Sequence, residues 1–165
     1  MNQLWAPWRM QFIEELRDKG SGCIFCELVQ ETDNDRERLI LHRGKSCYVL
    51  MNRYPYNNGH LLIIPYQHTG TLSDLSVEEN TEMMQLAATS VEIMEKHIEA
   101  EGFNCGFNLG KVAGAGIADH LHLHVVPRWC GDTNFLPILG ETRSMPEYLA
   151  NTYDRLIEGF RDLSS

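Results

Sequence analysis

Residues 120–126 constrain this chain more than any other segment: His120, His122 and His124 alternate with Leu121, Leu123 and Val125. Successive side chains of an extended strand face opposite ways, so the pattern predicts a strand over 120–127 with three imidazoles on one face and apolar residues on the other. A strand that merely met solvent would be served as well by Thr, Lys or Glu, so three histidines point to chemistry. Same-face neighbours lie about 6.6 Å apart and the outer pair about 13 Å apart. One metal ion could take two of these rings but hardly three, which leaves at least one for another task. A neutral imidazole is a good nucleophile near pH 7, and the middle ring, His122, has support on both sides.

The rest of the chain bounds the function. A length of 165 residues suits one domain with a real core. The net charge of −9 argues against a broad basic surface for long nucleic acid, though a pocket needs only a few cations and N–H groups to hold a small anion. Residues 1–8 lack the uninterrupted apolar core of a signal peptide, and Leu61-Leu-Ile-Ile64 is far too short to cross a bilayer, so a cytoplasmic location without a membrane partner is expected. Five cysteines, Cys23, Cys26, Cys47, Cys105 and Cys130, are odd in number and thinly spread, which disfavours a disulfide framework.

Pro7 opens a first predicted helix running to Gly20, with Trp8, Phe12 and Leu16 along one side. The charged run 30–38 reads as a solvated loop, and strands are expected over 39–42, 46–51, 60–65 and 103–108. Ser76-Val-Glu-Glu79 is a capping box, followed by Met84, Ala87, Val91, Met94 and Ile98 at helical spacing before Gly102. Ser144 starts a terminal helix over 144–163 with Leu149, Tyr153, Leu156, Phe160 and Leu163 as its stripe. Strands joined by short turns, with helices set apart, predict an α+β fold with a roughly five-stranded antiparallel sheet.

Cys23-Ile-Phe-Cys26 has the spacing that lets two thiolates reach one ion. A redox dithiol and two buried thiols without metal stand beside that reading. Asn52 either faces a ligand or closes a strand before a turn. Asn108 and the glycines at 110, 114 and 116 precede the histidine strand, where glycine permits N–H groups to turn toward phosphates or simply makes a long turn. His42, His60 and His97 read as packing, turn or surface residues, with His60 near the expected pocket.

The alternating segment resembles the signature of the histidine-triad superfamily of nucleotide hydrolases and transferases. Leu4-Trp-Ala-Pro-Trp-Arg9, Asn52-Arg-Tyr-Pro55, Gly59-His-Leu-Leu-Ile-Ile-Pro65, Ala113-Gly-Ala-Gly116 and the segment 127–135 extend the resemblance to its diadenosine tetraphosphate phosphorylase-type branch. It implies one domain over 1–165 with an N-terminal helical extension over 1–20, and a nucleotidyl-histidine on His122 with His124 as a phosphate or orienting partner. It further implies Asn52 on the ribose, and Asn108, Gly114 and Gly116 around the phosphates.

Many histidine-triad hydrolases carry Gln then Ser or Thr where this chain has Gly116 and Ile117. Phosphate recognition is thereby left to backbone groups and to a cation such as Lys111, Arg128 or Arg143. The resemblance also implies a structural zinc held by Cys23, Cys26, His68 and His120, and a homodimer paired through the helix over 77–99. The expected reaction is phosphorolysis of diadenosine tetraphosphate to ATP and ADP, with inorganic phosphate as acceptor. Hydrolysis and a nucleotide-binding or zinc-stabilised interaction module without turnover are the alternatives.

Overall fold

A computed structural model describes residues 22–30, 32–132 and 145–164. The expected first helix, Arg143 and Ser144 lie outside the described residues; residues 145–148 are not helical, so the terminal helix expected over 144–163 begins only at Leu149. Five strands form one antiparallel sheet in the order β1-β2-β3-β5-β4: β1 Ile40–Arg43, β2 Cys47–Met51, β3 Leu61–Pro65, β4 Gly102–Phe107 and β5 Leu123–Arg128. The architecture is α+β, as the sequence predicts. β2 and β3 are buried along their whole length, which explains why they read as continuous apolar runs without alternation.

The long helix α3, Val77–Ile98, packs over β3, β5 and β2 and against α4, Leu149–Arg161, which also covers β1. The capping box forms as written: Ser76 Oγ accepts from the Glu79 N–H and the Glu79 carboxylate from the Ser76 N–H. The buried face of α3 is Met83, Leu86, Ala87, Ser90, Ile93, Met94 and Ile98, while Met84 is 59% exposed. Ala87, Met94 and Ile98 of the expected stripe are thus buried and Val91 packs against the core, while Met84 turns outward and Met83 takes the inner position. The helix ends at Glu99 in the left-handed conformation (φ 53°), three residues before Gly102, which opens β4. In α4, Tyr153, Leu156 and Phe160 are buried as expected, whereas Leu163 is 40% exposed beyond the helix end.

Among the described residues, two short helices, α1 Ile24–Leu28 and α2 Asp35–Arg38, precede β1. The second falls in the run expected to be a loop. Its charges find partners across the fold, because Arg36 makes a two-point contact with Asp154 on α4, and Asp35 accepts from Arg43 on β1. No helix among the described residues is long and apolar enough to cross a membrane.

Candidate active site and metal centre

Strand β5 pairs with β3 through Ile63–Leu123, Leu62–His124 and Leu61–Val125, and with β4 through Phe107–Leu123 and Gly106–His124. The ladder therefore starts at Leu123, and His120, Leu121 and His122 lie just before it rather than inside the strand expected over 120–127. Pro65 at the end of β3 has no N–H to offer, so pairing stops there. The chain is held instead by the Leu121 N–H on the Thr69 carbonyl at 2.7 Å and by His120 Nε2 on the Pro65 carbonyl at 2.8 Å. Close approach of the two segments needs Gly70, where a Cβ would come within 2.6 Å of the Ala118 carbonyl oxygen.

The bond to Pro65 puts the His120 proton on Nε2 and leaves Nδ1 with its lone pair. That nitrogen lies 3.2 Å from Cys23 Sγ and 3.5 Å from Cys26 Sγ, and Cys26 Sγ lies 3.4 Å from His68 Nδ1. The four ligand atoms are all within 4.8 Å of one another. In a tetrahedral site with ordinary Zn–S and Zn–N bonds, sulfur and nitrogen ligands sit about 3.6 Å apart, so the donor set fits a closed Cys₂His₂ coordination. Burial and the neighbouring Cys23 push the Cys26 thiol up to about 11, and a dication between the two would favour the thiolate that they oppose. The Pro65 carbonyl fixes the orientation of the His120 ring, as an outer partner does for imidazoles that bind metals. All five cysteines are free thiols.

Phe25, between the two cysteines, links this centre to the next histidine. Its ring meets His120 edge-on at 5.5 Å and His122 at 5.2 Å between centroids, and Tyr48 Oη donates to its carbonyl at 2.9 Å. His122 Nδ1 donates to the His120 carbonyl at 2.8 Å, so the lone pair of the neutral ring is on Nε2. Burial holds His122 below the ordinary histidine range, partly opposed by that carbonyl. Burial likewise lowers His120.

His124 packs edge-on against His122 at 4.9 Å between centroids, and its Nδ1 lies 2.9 Å from Nε2 of His60. His60 is fully buried and hydrogen-bonded inside the site, which local sequence does not reveal because its partner is 64 positions away. Gly59, with φ 73°, makes the turn that delivers it. Asn52 closes the turn, its Oδ1 accepting from the Tyr54 N–H at 2.9 Å, and its Nδ2 reaches His60 Nδ1 at 3.2 Å. Asn108 follows β4 and places its carboxamide 3.3 Å from His124 Nε2 and 3.3 Å from Tyr56 Oη.

Gly110 (φ 80°) and Gly114 (φ 89°) bracket a 3₁₀ turn, Lys111–Ala113, beside Asn108, while Ile117 packs against the core. Gly116 and Lys111 are exposed in this loop. Arg128 makes a two-point contact with Asp132 and a bond to Asn104, so its guanidinium ties the end of β5 to the turn that leads out of it. Asp132 also accepts from Asn57, bracing the 54–59 turn.

The HIT domain model matches residues 34–130. The AP-4-A phosphorylase of Mycobacterium tuberculosis is 40% identical over 159 residues, covering 92% of this chain and 80% of that protein. The Bis(5'-adenosyl)-triphosphatase of Dictyostelium discoideum is 29% identical over 93 residues, 56% of this chain and 62% of its own. The structure resembles a Zn-bound histidine triad family protein from Mycobacterium smegmatis, with a TM-score of 0.68 at 26% identity over 87% of this chain and 96% of that one. With its alternating histidines at the start of β5 and a family match over more than half its length, this chain belongs to the HIT domain family.

Proposed function

We propose that the protein transfers a nucleotidyl group from a dinucleoside polyphosphate to inorganic phosphate through a covalent intermediate on His122. The observation that carries this reading is the tautomer of His122: with Nδ1–H on the His120 carbonyl, the Nε2 lone pair is the nucleophile. Burial keeps the ring neutral and so available to attack. The 40% identity to an AP-4-A phosphorylase supports the choice of substrate and acceptor.

His122 Nε2 attacks the phosphorus next to one adenosine, the bond from that phosphorus to its bridging oxygen breaks, and diadenosine tetraphosphate releases ATP. The carbonyl on Nδ1–H stabilises the positive charge that the substituted ring acquires. An oxygen of inorganic phosphate then attacks the same phosphorus, the P–N bond breaks, Nε2 recovers its electron pair, and ADP leaves. In this reading Asn108 serves the phosphates, with the backbone at Gly114 and Gly116, His124 orients Asn108 from behind, and Asn52 serves the ribose. Lys111, exposed on the glycine loop, is the cation proposed for the acceptor.

Cys23, Cys26, His68 and His120 would hold a structural zinc, which anchors the segment carrying His122. We place the whole chain in one domain, acting in the cytoplasm as a homodimer; exposed Val77 and Met84 on α3 support pairing through that helix. Incubation with diadenosine tetraphosphate, with and without inorganic phosphate, tests the reaction. ATP and ADP appearing only with phosphate supports transfer, AMP and ATP in both conditions makes the protein a hydrolase, and binding without products makes it a nucleotide-binding module.

A further inference from the structure

The turn residue Tyr56 touches both ends of the histidine pair. Its ring stacks on His124 at 5.4 Å and 16° and lies 4.6 Å from His60. Its N–H donates to His60 Nδ1 at 3.0 Å, where Asn52 Nδ2 also arrives at 3.2 Å. The direction of the Asn52 amide is fixed by the Tyr54 N–H on its oxygen. Two donors therefore meet His60 Nδ1, so in the neutral ring the proton is on Nε2 and donates to His124 Nδ1. Neutral His124 must then carry its own proton on Nε2.

That order conflicts with one contact. The Nδ2 position of Asn108 lies 3.3 Å from His124 Nε2, which would set two N–H donors against each other. Nitrogen and oxygen of a carboxamide are nearly identical in shape, and only the surrounding hydrogen bonds tell them apart. Turning the amide by 180° puts Oδ1 at this position, where it accepts from His124 Nε2–H and from the Tyr56 hydroxyl, also 3.3 Å away. Each of these contacts then joins a donor to an acceptor, and the NH₂ group points away from His124 and the Tyr56 hydroxyl.

We infer that Tyr56 is a positioning residue: its hydroxyl and N–H together turn the Asn108 amide so that its NH₂ faces a phosphate oxygen of the bound nucleotide. The inference rests on the nucleotide-transfer reading above. Its consequence is that the hydroxyl matters although it need not touch the substrate.

Long-range ¹H–¹⁵N correlation spectra of the ligand-free protein report the histidine tautomers, and titration with AMP reports binding. The expected result is the Nε2–H form for both His60 and His124, movement of the Asn108 NH₂ resonances on adding AMP, and about three- to tenfold weaker AMP binding by Tyr56→Phe, the worth of one hydrogen bond. An Nδ1–H form of His124, Asn108 NH₂ resonances that ignore AMP, or unchanged AMP affinity in a folded Tyr56→Phe variant would each overturn it. The first two readings use the unsubstituted protein and decide the matter even if the variant does not fold. Failure of the unsubstituted protein to bind AMP sinks the nucleotide reading and this inference with it, whereas an Nδ1–H His124 in a protein that binds AMP sinks this inference alone.

Discussion

His60 Nε2 lies 2.9 Å from His124 Nδ1, joining the turn before β3 to β5 through a buried pair of imidazoles. Because His60 Nδ1 already accepts two donors, this pair has one neutral proton order, and it sets the His124 nitrogen that carries the proton facing Asn108. Replacing His60 by Phe keeps a flat ring but breaks the chain. The expected outcome is a fall in kcat of roughly ten- to a hundredfold, the usual scale for losing an orienting partner, with KM less affected. Unchanged kcat in a folded His60→Phe variant would assign His60 to packing alone.

Loss of the nucleophile should look different. His122→Ala removes the only proposed point of covalent attachment, so turnover should fall by about 10⁴-fold or more whether phosphate or water is the acceptor. Nucleotide binding should survive, because Asn52, Asn108 and His124 remain. Steady-state rates beside AMP titration make the comparison, and substantial turnover in the variant would move the nucleophile elsewhere.

Period and punctuation made the frame legible. Alternation marked β5, the Ser76–Glu79 box marked the start of α3 to the residue, and two-residue spacing marked Cys23 and Cys26, to which the family resemblance added His68 and His120, the group that the fold brings within 4.8 Å. Contacts between residues distant in sequence were not legible. The buried face of α3 keeps Ala87, Met94 and Ile98 of the expected stripe but takes Met83, Leu86 and Ile93 in place of Met84, a rotation that local spacing does not reveal. The short helix α2 forms in a charged run whose Arg36 finds Asp154, 118 positions away. The position of His60 and the engagement of Tyr56 depend on the same kind of distant partner.

His42 on β1 gives a pH dependence separate from the site. Its ring stacks on Phe160 at 6.4 Å, and burial holds it below the ordinary value, with Glu82 partly opposing. The unfolded chain then binds this proton more readily than the folded one, so the neutral ring contributes stability that is present above about pH 6.5 and lost as pH falls through the folded value. Melting curves from pH 7.5 down to pH 5 should therefore fall less steeply for His42→Gln than for the unsubstituted protein, with divergence only below about pH 6.5. Parallel curves would show that His42 does not contribute to the acid limb.

Removing the metal should reach the histidines through Phe25. The proposed zinc joins the α1 segment to the residues leading into β5, and the Phe25 ring lies against both His120 and His122. Because a structural metal binds the folded arrangement far better than the unfolded chain, its binding energy adds to stability, and a strong chelator should lower Tm by roughly ten degrees or more. Elemental analysis should find one zinc per chain, and cobalt substitution should give the visible bands of a tetrahedral thiolate site. Cys26→Ser should lose that spectrum and melt lower, whereas Cys105→Ser, on exposed β4, should do neither. A metal-free protein with unchanged melting and the same His122 resonances would instead make Cys23 and Cys26 ordinary thiols and leave the segment to be held by the Thr69 and Pro65 carbonyls alone.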